Sequence, residues 1–438
     1  MLLICVMALA IVSYVNLRLA GNMTYPPFVF CAVWTGALAL LLALGEMFYP
    51  VSAVTLSYYF FGALAFSAGG FLALLPNLGA FVKRSRPVAA ADRRIVQVAL
   101  DIGLVLAVGA LPIYFRYMRQ MAAFARAKGS DWQQMRRGII AVMNLPGGAG
   151  FRIEPLLLPI FVILALLAFY EYDGGRLRRL RTYLFLVVAA GFALSSSGRS
   201  EVLLLMVGLV AIAWTKWDPP QLKLISTAAF AFVLLFGANQ ILLEKTNASS
   251  RASLAENLPA VANGFASYAM GGIVGLDYVL KHPGAIENGW RPTRIVTSAL
   301  NKFGGEYREP SRDLAYVGIG SGDVSNVYTA YFAFVDYGVL AVGCFLMFLG
   351  ATSTLAYRYA LRGSPLGVLC FGTSLYGCVM SVFAEEWFSR LAFYLKAAVI
   401  VVVLYEVLPR FWGMLSRASA RDVAELELGG EEREMAGF

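Results

Sequence analysis

The residues able to do chemistry are few and lie in a handful of places. His282 is the only histidine, in Lys281-His282-Pro283-Gly284. One imidazole with no cysteine nearby cannot build a zinc site, which leaves hydrogen bonding or general-base duty. Asp336 stands in Tyr331-Phe332-Ala333-Phe334-Val335-Asp336-Tyr337-Gly338, inside a stretch apolar enough to span a bilayer. A carboxylate there faces a cavity or a partner, and a structural pair with Lys396 competes with a role in a site. Asp101 carries the same signal more weakly. Glu385 and Glu386 fall at a helix end, where an interfacial position competes with lining a site. Arg199, in Ser195-Ser196-Ser197-Gly198-Arg199-Ser200-Glu201, is expected at the tip of a tight hairpin. Small residues let the backbone turn there and approach a ligand, and the cation either aims into a cavity or snorkels to the interface.

Two longer segments gather charge. Residues 116–152 hold Arg116, Arg119, Arg126, Lys128, Arg136, Arg137 and Arg152 against Asp131 alone. Tyr117, Met118, Met121 and Phe124 recur there at helical spacing, so the segment reads as an interfacial amphipathic helix with a cationic side. It would adhere to anionic headgroups or dock a lipid-linked pyrophosphate, whose oxygens match the planar fork of arginine. Residues 244–327 balance Lys245, Arg251, Lys281, Arg291, Arg294, Lys302, Arg308 and Arg312 with Glu244, Glu256, Asp277, Glu287, Glu306, Glu309, Asp313 and Asp323. Charges of both signs beside Trp290 and several tyrosines suit a carbohydrate site; the plainer account is a loop laced with weak surface ion pairs.

These residues are positioned by a membrane-embedded body. Of the 438 residues, 59% are apolar and 14% charged, with a mean hydropathy of +0.68. That leaves too little polar surface to wet a globule of this size. Five cysteines, all in apolar stretches, exclude a disulfide scaffold, and 22 Tyr, 30 Phe and 7 Trp exclude a disordered chain. Inside lipid each backbone group must be satisfied within its segment, so a span needs about 20 apolar residues. Eleven windows qualify: 1–17, 27–45, 51–76, 95–115, 153–170, 182–196, 201–215, 222–243, 328–356, 365–384 and 391–408. The predicted fold is therefore an all-α bundle of about eleven transmembrane helices with a large extracytoplasmic loop subdomain. Its parts are 1–115, the basic loop 116–152, 153–243, the loop subdomain 244–327, 328–408 and a tail 409–438. No cleavable signal peptide is visible. Arginines at 84–94, 176–181, 358–362 and 410–421 then share the cytoplasmic side by the positive-inside rule, which puts the N-terminus outside. Residues 261–280 are nearly long enough to span, yet counting them would export the later arginines. They read as a helix lying against or dipping into the outer face.

No Walker A loop, Rossmann glycine pattern, His/Cys metal cluster or DxD-like pair occurs. An enzyme built this way is expected to work without metal, nucleotide or other cofactor, on a substrate that brings its own activation. On the outer face a polyprenyl diphosphate sugar is the obvious one.

The chain resembles the O-antigen polymerase family of integral-membrane oligosaccharide repeat-unit polymerases. The resemblance rests on the hairpin Ser195-Ser196-Ser197-Gly198-Arg199-Ser200, on Tyr268-Ala269-Met270-Gly271-Gly272, and on Asn326-Val327-Tyr328-Thr329 leading to Val335-Asp336-Tyr337-Gly338 and Gly343, in the family's order. Arg137 with Gly148 and Arg294 with Gly305 also fit an arginine followed by a glycine eleven positions later, in two external loops.

The resemblance implies glycosyl transfer at the periplasmic face of a bacterial inner membrane. The donor would be a glycan on undecaprenyl diphosphate, and the acceptor a sugar hydroxyl of another lipid-linked repeat unit. Cleavage of the C1–O bond loads negative charge on the leaving diphosphate, which fixed arginines stabilise as it forms. Arg199, Arg291 and Arg294 are expected there, with Arg308, Arg312, Arg137, Tyr328 and Tyr268 as further substrate-binding residues. A group reaching the acceptor hydroxyl takes its proton; Asp336, Glu306 and His282 are the candidates, and attack opposite the leaving group inverts the anomeric centre. Expected partners are the lipid-linked oligosaccharide, membrane lipid and a chain-length regulator protein, with no nucleic acid. The alternatives are a ligase that moves finished glycan onto lipid A-core, and a lipid-linked-oligosaccharide flippase or transporter. The absence of internal repeats argues against the last.

Overall fold

The computed structural model describes residues 1–75, 90–124, 134, 154–195, 199–217, 220–242, 253–286, 291–307, 315–320 and 323–414. The longer helices are α1 (Leu2–Ala20), α2 (Pro26–Leu44), α3 (Ala53–Leu74), α4 (Ala90–Phe124), α5 (Glu154–Tyr170), α6 (Arg176–Ser195), α7 (Arg199–Trp217), α8 (Gln221–Leu242), α9 (Leu254–Lys281), α10 (Arg294–Lys302), α11 (Gly338–Leu361), α12 (Pro365–Met380) and α13 (Leu391–Val402). Seven of them, α1 to α4, α7, α11 and α13, give segments long and apolar enough to cross a membrane. The remaining predicted windows fall on α5, α8 and α12, whose apolar stretches are shorter, and on α6, which opens on arginines. The chain is thus a mostly helical membrane protein. Val105, Leu106 and Ile113 of α4 are exposed, as lipid-facing side chains are, while the polar residues turn inward to link helices. Asn16 donates to Ser67 at 2.8 Å and Trp34 to Ser381 at 2.9 Å.

The interior divides into two apolar cores. One joins α1, α2, α3, α9 and α11 around Trp34, Tyr59 and Tyr331. The other joins α4 to α7, α12 and α13 around Phe161, Phe185 and Phe371. Close backbone approach ties the elements together. A Cβ on Gly350 of α11 would lie 2.0 Å from the Phe66 carbonyl oxygen of α3. Gly350→Val is therefore expected to overpack the α3–α11 seam and cost about 3 kcal/mol, read as a lower melting temperature in detergent.

Cross-helix hydrogen bonds sort the chain onto two ends. At the first, Asn22 donates to Tyr357, Tyr170 to the Gly363 carbonyl, Arg358 to the Ala73 carbonyl and Tyr405 to Glu171. At the opposite end, Tyr49 N–H meets the Ile319 carbonyl and Arg390 pairs with Glu201. Ser52 N–H and the Thr55 hydroxyl donate there to Asp277 at 2.8 and 2.7 Å. The arginines of α6 and of the α11–α12 turn lie at the first end, as the sequence predicts for one shared side.

Helix α9 stays at the opposite end throughout. It packs Phe265 and Tyr268 on Phe236 of α8, Gly272 on Val382 and Asp277 on the start of α3. Its first turn is fixed by a capping box between Ser253 and Glu256. Asp277, though largely buried, stays below the usual carboxylate range: burial pushes it up, but Lys281, Ser52 and Thr55 more than compensate.

Two of the predicted windows need correction, and the helices are joined by one element of another kind. One short element in the helical fold is a strand pair, because Tyr316–Gly320 pairs with Asp323–Asn326 as an antiparallel hairpin. Val317 and Ile319 alternate inward there, the period of a half-buried strand. The ninth window does not begin as a helix: residues 327–337 are irregular, and α11 starts at Gly338. Asp336 therefore lies in a 3-10 turn at the very start of the span, exposed, and not eight residues deep in it. The tenth window ends early as well, with α12 stopping at Met380 and an irregular turn over 381–390.

Candidate active site

Those two irregular segments build the site. Helix α11 has 24 residues and α12 has 16, about 36 and 24 Å at 1.5 Å per residue. The turn 381–390 therefore starts about 12 Å short of the outer end of α11. Phe388 packs on Phe345 with ring centres 5.6 Å apart, and Trp387 Nε1 donates to Ser353 at 3.1 Å. Segment 327–337 descends to meet it. Tyr331 is fully buried against Trp34 and Tyr59 and donates to the Tyr59 carbonyl at 2.8 Å. The two segments then bond to each other, Ala330 N–H to the Ser381 carbonyl at 3.0 Å and Glu385 N–H to the Tyr328 carbonyl at 2.9 Å. Phe334 is held in the left-handed region at φ 63°, where a bulky side chain is strained. Irregular backbone set this far into a bundle is tolerated where protein buries it or where it lines a cavity. Here both hold.

The cavity has about 250 Å³, and Asn326, Tyr328, Thr329, Glu385, Glu386 and Ser389 supply its polar lining, with Pro292 at one side. Glu385 Oε1 accepts from Trp387 and Phe388 N–H at 2.8 and 2.7 Å. Its Oε2 accepts from Ser389 N–H and Oγ at a looser 3.3 Å. Burial pushes Glu385 up to about 7, with neighbouring Glu386 adding to the rise against the backbone donors. Arg390 donates to Glu386 at 2.8 Å and pairs with Glu201 of α7, and its guanidinium lies 5.5 Å from the Tyr376 ring centre. Two buried oxygens, Glu201 Oε2 and Thr329 Oγ1, have no hydrogen-bond partner among the described residues, and such atoms call for water or a ligand.

The predicted site residues divide into three groups. Tyr328 lines the cavity and is fixed by Ala315 N–H, which donates to its hydroxyl at 3.0 Å. Arg199, Arg291 and Arg294 reach the same place along the backbone. Arg199 opens α7 two residues before Glu201, while Arg291 and Arg294 flank Pro292. Arg294 is half-buried; the side chains of Arg199 and Arg291 lie outside the described residues. Tyr268 packs over Phe383, just above the site. Arg137, Arg308 and Arg312 fall outside the described residues. The predicted bases stand apart: Glu306 is exposed after α10, Asp336 is exposed before α11, and His282 caps α9 with Nδ1 2.9 Å from the Tyr278 carbonyl oxygen. None of the three lines the cavity. Asp101 pairs with Arg181 at 3.2 Å, at the other end of the bundle.

Arg390 is what sequence reading missed. Its signal was present, because a Glu-Glu pair followed four residues later by an arginine, between two apolar windows, is a charge cluster that lipid penalises unless it is paired inside. Close packing also gathers the three stretches of family resemblance. A Cβ on Gly272 would lie 2.3 Å from Thr329 Cγ2 and one on Gly271 2.3 Å from Ser325. The glycine pair of α9 thus seats directly on residues 325–329, and α7 contributes Glu201; the turn expected at 196–198 lies outside the described residues. No protein-family model, no curated protein and no solved structure matches this chain.

Proposed function

We propose that the chain is a polysaccharide polymerase of the O-antigen type. It is a glycosyltransferase that joins undecaprenyl-diphosphate-linked repeat units at the periplasmic face of a bacterial inner membrane, crossing that membrane eleven times with its arginine-rich end in the cytoplasm. One observation carries the reading. The 326–338 stretch lines a recessed cavity with Glu385 on its wall, the 268–272 stretch packs on it through Gly271 and Gly272, and Glu201, just after the 195–200 stretch, pairs with Arg390 of the turn that carries Glu385.

In this mechanism Glu385 replaces the three bases expected from the sequence. Its Oε2, with only loose partners at 3.3 Å, takes the proton of the acceptor hydroxyl as that oxygen bonds to C1 of the donor sugar. The C1–O bond to the diphosphate breaks on the opposite face and inverts the anomeric centre. Glu386 is occupied by Arg390 and does not share the role. In this reading Arg199, Arg291 and Arg294 stabilise the charge that the departing diphosphate accumulates.

Purified protein given lipid-linked repeat units alone, without metal or nucleotide, is expected to produce a glycan ladder. A demonstrably correct repeat unit that stays unextended refutes the reading, and label crossing proteoliposomes at constant glycan length points to a flippase. Arg199→Ala and Arg294→Ala should each lower elongation about a hundredfold, the effect of removing one donor to a developing anion. A lysine at either position restores only part of it, because a point charge lacks the fork.

A further inference from the structure

We infer that α12 divides two apolar grooves that hold the polyprenyl tails of the two substrates, one groove for the donor and one for the acceptor. The inference rests on the polymerase reading and adds where each lipid lies.

The first groove, about 690 Å³, runs between α11, α12 and α13 past Ala356, Gly367, Cys370 and Phe388. The second, about 400 Å³, runs between α2, α7, α8 and α12 past Val33, Leu203, Val207 and Ala229. No charged side chain lines either groove among the described residues. They use different faces of α12: Leu366, Gly367, Cys370 and Ser374 line the first, Leu375 and Val379 the second. At about 100° per residue these sets point to nearly opposite sides.

Both grooves pass close in the chain to one ion pair. The first is lined by Phe388 and Leu391, on either side of Arg390. The second is lined by Leu203, two residues after Glu201, and Arg390 pairs with Glu201. Two amphiphiles lying with tails in the grooves therefore present their headgroups to a common polar site from either side. That is the arrangement a reaction between two lipid-linked molecules needs. An incidental phospholipid site gives no reason for two grooves to flank the two partners of one salt bridge. Along α11 the first groove extends from Phe348 to Tyr359, about 16 Å, so it holds the first part of a long tail and leaves the rest to the bilayer. Small residues, Ala356, Gly367, Cys370 and Ser374, leave recesses along its wall for the branch methyls of an isoprenoid. Arg199 opens α7, which places the donor, whose diphosphate leaves, in the second groove.

The test uses a photoreactive polyprenyl diphosphate on the full-length protein in detergent, with labelled peptides mapped by mass spectrometry. Two probes per chain are expected, in peptides from α11–α12 and from α7–α8. Ala356→Phe should abolish the first and keep the second, and Ala229→Phe the reverse. Saturation at one probe, labels outside both grooves, or equal displacement by phosphatidylglycerol overturns the inference. The wild-type map decides even if a variant fails to fold. Protein that extends glycans yet holds one probe refutes the grooves and leaves the polymerase reading standing. Protein that holds two probes and extends nothing refutes the polymerase reading and keeps the grooves.

Discussion

Glu385→Gln is expected to lower elongation by about 10²–10⁴, the usual contribution of a positioned general base, while the protein inserts and folds. The amide keeps an oxygen that can accept from Trp387 and Phe388 N–H, the two short bonds of the 385–390 turn, while its NH2 gives up the looser bond from Ser389 N–H and cannot take a proton. The pH profile sharpens the test. Glu385 is held near 7 by burial, and the base is the ionised form, so wild-type kcat/KM should rise with pH through a midpoint near 7. The residual activity of the Gln variant should show no such limb. Stability moves the other way. A carboxyl raised by folding binds its proton more tightly in the native state, so its contribution is full below the unfolded value and lost as pH rises through about 7. The wild-type melting temperature should accordingly drop between pH 5 and 8 more steeply than that of Glu385→Gln. A variant that elongates normally across this range removes Glu385 from the chemistry.

What the sequence could and could not disclose follows from how lipid selects residues. Length and hydropathy mark α1 to α4 and α11 directly, because a span must be apolar along its whole length. The sequence argues against a span at residues 261–280 for a different reason, since that would export the arginines at 358–362. Hydropathy could not separate 328–337 and 381–384 from the helices they adjoin. Tyr331, Phe332, Val382 and Phe383 are as apolar as any spanning residues, and what breaks the helix is tertiary: Tyr331 inserted between Trp34 and Tyr59, Trp387 bonded to Ser353. The general base was sought in Asp336, His282 and Glu306 because they stand out in polar or lone positions. For Glu385, which lines the cavity, the sequence leaves an interfacial helix end and a place in the site as competing readings. Arg390 and its partner Glu201 lie 189 positions apart, and no local pattern joins them.

That distant pair makes Arg390→Met the second severe substitution. The side chains of Arg390, Glu201 and Glu386 are only 12–16% exposed, and one guanidinium serves both carboxylates. Deleting it leaves two acids facing each other out of water without a counter-charge, a change that typically costs about 3–5 kcal/mol. The variant should therefore melt far below the wild type in detergent and yield little folded protein. Adding Glu201→Gln and Glu386→Gln to Arg390→Met removes the stranded charges and should return most of the stability, since a neutral replacement for a buried ion network is often tolerated. Elongation should not return with it, because the network also sets the turn that carries Glu385 and joins α7 to α13 at the site. Arg390→Lys keeps the charge but cannot hold Glu201 and Glu386 with separate nitrogens of a rigid fork, so an intermediate melting temperature is expected. A stable, fully active Arg390→Met protein would show that the ion pairs contribute nothing to either fold or reaction.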